Sequence, residues 1–594
     1  MTIVPPALLV FSSSHTIAHS LLRMCLILQL ASLAAAGCGG AATTLTEDLG
    51  ARLDGLVDEY ISLRGRRSSE WSTETLRVRG APDLSPEHFA ARIQPQRDLL
   101  AEVQAVDPDG LTLPEQTDRR VMIALLESDI YDAEHRRAWE TQPLLYVPVR
   151  QISALFAASG AGDAEASGPA SGQAAADPVD PERATVLLRA VPAALEQGRA
   201  NLGRPAERST REVIYQTAAM VEVLRGGLPS LSESGDEAME AGANALAALE
   251  AYLDFLETEL LPRSDGSWAI GKEHYDYTLR HRWLMEEDAD DIIAIGREVF
   301  ERTVAEAQDV AERISPGKHW VEVYEELKKD HPTAEGLKRA YQEQMDAAKA
   351  FVIEHKILTL PAGEEVITVD TPPAQRRSSP FGTFDSVGPE DDDMQGRLVL
   401  TPIEDGLTPE QHEARLSAHH TAWVPIIAVH EAYPGHHSHA LKMYQNPRKL
   451  RHYVNEAIFS EGWGLFTEQL MFEEGFLRGD DVKLTQLRNR LWRAARVILD
   501  ASLHTGRMTF DEAVDFMVEE IRFDRVAAEL EVGMYTERPT YFLGYLIGMV
   551  KIEQMREEWV AKYGEPEEPR ELYDALLTIG SLPPTLMRAE LLSR

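Results

Sequence analysis

The sequence predicts a mainly α-helical fold, a large multi-helix body of two lobes with a small β element near residues 360–405. Three observations carry this. The chain has 594 residues, more than one hydrophobic core usually holds. Apolar residues recur three or four apart along most of it. Strand-like texture is confined to one stretch rich in Pro, Gly and β-branched residues. With 44% hydrophobic and 26% charged residues, the balance is that of a soluble globular protein.

The chain opens on an export signal. From Met24 it reads MCLILQLASLAAAGCGG, an apolar run after Arg23 that ends in small residues and is too short for a membrane span. Residues 1–37 are read as a signal peptide, with Met24 or a nearby residue as the true start. The ending Ala35-Ala36-Gly37-Cys38 resembles a bacterial lipobox, although Ala35 stands where Leu is usual. Cys38 is the expected lipidation site, and the protein is expected to be exported and anchored in the cell envelope.

Residues 45–594 are read as one large helical domain. LTEDLGARLDGLVDEYISL, HFAARIQPQRDLLAEV and RVMIALLESDIYDAEHRRAW carry the helical period first. Residues 159–181, made of Gly, Ala, Ser and Asp, form a flexible insertion with too little apolar surface to order itself. The period resumes at RATVLLRAVPAALEQGRANL and is clearest in DADDIIAIGREVFERTVAEAQDVAERI. Around 359–405 loops and two or three short strands are expected. They would either brace the lobes or pair with an extended substrate.

Asp and Glu outnumber Lys and Arg by 97 to 59, giving a formal charge of -38 that repels phosphate backbones and anionic surfaces. Nucleic acid is therefore excluded as a partner, and membrane contact is expected only through the lipid anchor. Both cysteines, Cys25 and Cys38, fall in the signal region, so any metal in the body must use His, Asp and Glu.

The chemistry lies in VPIIAVHEAYPGHH, residues 424–437, in the half of the chain from 400 to 594. Pro425 is tolerated in a first helical turn, and the apolar residues after it bury the helix that delivers His430 and Glu431. In HExxH the second histidine comes four residues on, but here that position is Pro434. In an unbroken helix His436 would lie about 9 Å farther along the axis, at about 1.5 Å per residue, too far to share a zinc ion with His430. A break at Pro434-Gly435 can swing it back. The segment NEAIFSEGWGLFTEQL places Glu461 and Glu468 two turns apart on one helix face. Glu461 is read as the third ligand. Two His and one Glu leave a coordination position open, the catalytic pattern, with Glu431 as general base.

HEAYPGHH together with SEGWGLFTE resembles the H-E-x-x-P-G-H and E-G-W signatures of the bacterial family called domain of unknown function 885. GSWAIGKEHYDYTL, LWRAARVILDASLH, ERPTYFLGYLIG and the terminal LYDALLTIGSLPPTLMRAELL extend the resemblance from about residue 45 to the end. It implies a zinc metallopeptidase, with His430, His436 and Glu461 on the metal and Glu431 beside it. His437 falls where the family also has aromatic residues and is a neighbour, not a ligand. Asp500-Ala501-Ser502-Leu503-His504 departs from the family's Asp-Thr-Gly-x-His.

The donor to a developing oxyanion is expected to be Tyr545 or His504, with Tyr541 behind them. Arg493 and Arg496 could clamp a substrate carboxylate, although pairing with Asp500 is the simpler account of Arg496. His419 and His420 are read as a polar helix entry. The expected function is a zinc-dependent hydrolase of short peptides or acyl-amines, the metal lying in the cleft between lobes. The alternatives are a lipid-anchored binding protein with a structural or vestigial metal site, or a zinc-dependent esterase.

Overall fold

The computed structural model describes residues 48–594 except 68–69, 157–180, 232–234, 372–375, 377–381, 390, 392 and 404–405. The signal peptide, Cys38 and nearly all of the 159–181 insertion lie outside the described residues. Three helices begin the fold: Leu49–Arg67 (α1), Pro86–Gln104 (α2) and Leu113–Arg136 (α3). The start of α3 is set by Thr112 and Glu115, which cap each other's backbone. Pro181–Asn201 (α4), Glu207–Leu231 (α5) and Asp236–Phe255 (α6) follow and, with Tyr146 and Phe156, enclose an apolar core drawn from residues 76–260.

Gly271–His281 (α7) leads to Ala289–Ile314 (α8), whose N-terminus is capped by Asp288 and Asp291. Leu337–Glu354 (α9) precedes a three-stranded sheet of Glu365–Asp370 (β1), Gly382–Asp385 (β2) and Gln395–Leu400 (β3). β3 is central, parallel to β1 and antiparallel to β2. The outer edge of β1 is closed by Gln342 of α9, which donates to the Val366 carbonyl and accepts from the Thr368 amide, both at 2.9 Å.

The remaining helices build the site: His436–Met443 (α10), Ala457–Glu473 (α11), Asp480–His504 (α12), Arg525–Glu537 (α13), Gly544–Tyr563 (α14), Arg570–Ile579 (α15) and Pro584–Leu591 (α16). α12 runs through the interior, with Leu491, Ala494, Ala495, Val497, Leu499 and Ala501 all fully buried. Gly296 of α8 lets the two helices close, since a Cβ there would stand 2.9 Å from Ile498. Residues 49–594 form one compact unit, and its division appears as separate apolar cores within it.

One buried ionic group ties the ends of this unit together. Arg451, fully buried, pairs with Asp118 of α3 and with Glu590 of α16 at 2.7 Å, and donates to the Ile579 carbonyl at the end of α15 at 2.7 Å. Arg448 pairs with the same Asp118. Asp118→Ala would leave Arg451 as a buried charge with one anionic partner. It is expected to lower the unfolding free energy by about 3–5 kcal/mol, read by urea titration. A loss below 1 kcal/mol would show that Glu590 suffices alone.

Candidate metal centre

The segment Val424–Ile427 begins as α-helix, then widens over Ala428–Ala432 to bonds spanning five residues, with Tyr433 N donating to the Ala428 carbonyl at 3.3 Å. A cis Tyr433-Pro434 bond and Gly435 complete the break. Gly435 is required by proximity, because a Cβ there would penetrate the backbone carbonyl of His430. The chain then starts α10 at His436, and the rings of His430 and His436 come to 4.9 Å between centroids, nearly perpendicular.

α11 supplies the opposing wall, and its E-G-W-G run can be read residue by residue. Glu461 Oε2 stands 3.5 Å from His436 Nε2. Gly462 faces Gly548 of α14, where a Cβ would stand 2.5 Å from the Gly548 Cα. Trp463, fully buried, donates its indole N–H to the Pro434 carbonyl at 2.9 Å and so holds the break. Gly464 makes room for the His430 ring, since a Cβ would lie 2.8 Å from its Nε2. One turn on, Glu468 accepts from His430 Nδ1 at 2.9 Å and leaves Nε2 for a ligand. Positions 461, 464 and 468 share a helix face.

Among the described residues, His430, His436 and Glu461 each offer one donor atom, all within 4.8 Å of one another. Bonds of about 2.0–2.1 Å to a tetrahedral zinc ion set its ligand atoms roughly 3.3 Å apart, so small side-chain shifts would close the set on a cation. Side-chain exposures of 19% at His436 and 15% at Glu461 keep the cluster reachable. Burial would raise the Glu461 carboxyl, but His436 against it brings it down to about 2. Burial would lower His436, but Glu461 and then Glu431 hold it up to about 9. A cation entering the cluster would displace that proton.

Tyr541 donates its hydroxyl to Glu461 Oε1 at 3.0 Å, a role that sequence reading gave less weight than Tyr545. Tyr545 lies four residues on, in the first turn of α14, and burial followed by Glu461 pushes its phenol well above 10.0. Glu431 is half-buried beside His430. His437 turns away from the cluster and bonds Glu364 at 2.9 Å, as do Tyr433 at 2.7 Å and Lys349 at 2.8 Å. Through Glu364, just before β1, the sheet braces the metal loop.

Three expectations need correction. His504 is not brought to the cluster. It is fully buried at the far end of α12, its Nε2 bonded to the Tyr535 carbonyl at 2.9 Å and its ring against Trp268 and Tyr275. It lies about 16 Å along the helix from Arg493 at ~1.5 Å per residue. Burial drives its pKa down to about 4, so the ring is neutral near neutral pH, and its Nε2–H is given to the Tyr535 carbonyl rather than to the cluster. Arg496 pairs with Glu531 of α13 at 2.8 Å, not with Asp500. His419 and His420 are buried rather than a polar entry, the first bonded to Tyr341 at 2.9 Å. A surface hollow of about 550 Å³ beside Trp268, Leu503 and Arg507 contains none of the cluster residues.

Asp500 has a positioning role instead. It accepts from the Tyr275 hydroxyl at 2.6 Å and from the Thr540 amide at 3.0 Å, fixing the residue before Tyr541. Thr540 has a φ of 67°, a conformation that needs such an anchor.

The fold and site define a helical protein with a two-histidine, one-glutamate cluster on a broken helix. The chain belongs to the family described as Bacterial protein of unknown function (DUF885), whose model matches residues 76–591. It is similar in structure to a candidate lipoprotein of unknown function from Shewanella oneidensis, with a TM-score of 0.76 and 19% identity over 92% of this chain and 100% of the other. A candidate lipoprotein from Colwellia psychrerythraea aligns with a TM-score of 0.68 and 17% identity over 92% and 98%. No curated protein matches the chain.

Two outcomes follow from this geometry. Gly464→Ala should displace the His430 ring and reduce zinc affinity by about 10–100-fold, the usual cost of disturbing a ligand's support, measured by chelator competition. Unchanged affinity would dissociate His430 from the metal. Burial raises the Asp500 carboxyl from 3.8 to about 7, although Tyr275 and Thr540 oppose it. The stability this protonated group contributes is therefore full below 3.8 and lost as pH rises through about 7. Asp500→Asn cannot ionise. Its melting temperature should exceed that of wild type above pH 7, with the gap closing as pH falls toward 4; a gap independent of pH would refute the assignment.

Proposed function

We propose that the protein is a zinc-dependent hydrolase of peptide or other amide bonds, exported to the cell envelope and held there by a lipid on Cys38. The observation that carries the reading is the cluster of His430, His436 and Glu461, with Glu431 next to His430 in the chain and acting on His436 through space, and Glu468 behind His430. The donor set is nitrogen and carboxylate oxygen, which suits zinc and leaves a position open. A zinc ion held by these three residues would supply Lewis acidity toward a carbonyl oxygen and toward water.

The chain's own residues account for the proton movements. Glu431 accepts a proton from the attacking water and hands it to the nitrogen of the leaving amine as the C–N bond breaks. Tyr545, kept protonated by burial, donates to the oxygen that gains charge at the carbonyl. Tyr541 fixes the Glu461 carboxylate so that one of its oxygens is directed and the other is free to bind. The envelope location draws support from the signal-like residues 24–38 and from the lipoprotein description of both structural neighbours. Among the described residues no helix is long and apolar enough to cross a membrane.

A library of dipeptides and acyl-amino acids, assayed with zinc and with a chelator control, tests the reading. Glu431→Gln should retain stoichiometric zinc and lose about 10²–10⁴-fold in turnover, the usual worth of a positioned acid–base group. Turnover within a few-fold of wild type would remove Glu431 from the chemistry, and turnover indifferent to the chelator would remove the metal.

A further inference from the structure

One face of α12 is chemically unfinished. Gln486, Asn489, Arg490 and Arg493 follow the spacing that aligns side chains along a helix, and all four are buried. Gln486 Nε2, both side-chain polar atoms of Asn489, Arg490 Nε and Arg493 Nε and Nη1 have no hydrogen-bond partner among the described residues. Buried donors and acceptors in native proteins are satisfied by protein, water or ligand, so a row of orphans calls for partners that the described residues do not supply. The row is cationic and looks toward α11, since Arg490 donates to Gln469 at 2.8 Å and Lys483 to the same oxygen at 3.1 Å.

Arg493 is the member nearest the metal cluster. Its guanidinium lies against Trp492 at 4.4 Å and Tyr545 at 5.7 Å, with Glu468, the partner of His430, acting on it through space. It is only 6% exposed. The neighbouring Arg496 is equally buried but is paired with Glu531, so burial alone does not leave an arginine unpaired in this helix. The two unpartnered donors, Nε–H and Nη1–H, lie on different sides of the guanidinium, and each can give a charge-assisted hydrogen bond to an oxyanion.

We propose that Arg493 binds the free carboxylate of the substrate, with Asn489 and Arg490 lining the same subsite. The preferred substrates are then short peptides or acyl-amino acids cleaved next to a free C-terminus. This rests on the hydrolase reading for the word substrate, but not for the binding itself.

The test uses full-length zinc-loaded protein carrying Glu431→Gln, so that ligand is not consumed. Calorimetry compares an N-acetylated dipeptide as free acid with the same dipeptide as C-terminal amide. The acid should bind about 10–100-fold more tightly, the worth of a charge-assisted pair. That preference should vanish in Arg493→Gln and be partly kept in Arg493→Lys, which keeps the charge but not the planar set of donors. Equal binding of acid and amide overturns the proposal without any need for a variant at 493. So does Arg493→Gln that keeps the acid preference, or that lowers zinc content while keeping it, since Arg493 would then be only the counter-ion of Glu468. If the acid preference follows Arg493 but wild type hydrolyses neither ligand, the subsite stands and the hydrolase reading falls.

Discussion

The cluster depends on how closely α11 is pressed against its neighbours. On one side Gly462 meets Gly548 of α14 backbone to backbone; on the other, Gly464 admits the ring of His430. A helix in contact through backbone atoms on two sides has no slack to rotate or slide. Glu461 and Glu468, which share that helix, therefore reach the two histidines from fixed points two turns apart. Larger side chains at these glycines would separate the walls of the site rather than merely crowd it.

Each member of the cluster has its own restraint. His430 is oriented by Glu468, Glu461 by Tyr541, and the turn leading to His436 by the indole of Trp463 on the Pro434 carbonyl. Behind them, Glu364 gathers Tyr433, His437 and Lys349. Such supports fix tautomer and direction in advance, so that little ordering would oppose the binding of a cation. The small sheet serves this end: Glu364 leads into β1, and Gly396 of β3 leaves room for the ring of His437.

Local pattern made the helical frame and the cluster legible in the sequence. The apolar period located the long helices, the strand-like stretch became β1 to β3, and the impossibility of a straight helix between His430 and His436 required the break that the structure contains. Glu468 could be placed on the face of Glu461 by spacing alone. What stayed hidden was long-range. Nothing local distinguishes Tyr541 from Tyr545, one turn apart, because the choice is made by where Glu461 lies in space. Arg496 had a plausible partner four residues on in Asp500, yet it reaches Glu531 on another helix. His504 carried a family-like spacing but ended in the core, held by a carbonyl of α13. The glycines of E-G-W-G gave no hint of their purpose until the helices they face were known.

The Arg451 group carries a consequence for inheritance. Residues 400–594 hold all the metal-site side chains, yet their most buried cation is neutralised by Asp118, hundreds of positions earlier. Spliced onto a foreign front half, this segment would bring into its own interior an arginine left with Glu590 as its one anionic partner. The front of the chain is thus an electrostatic counterpart that the half bearing the histidine–glutamate cluster must travel with, and shuffling between relatives has to exchange both or neither.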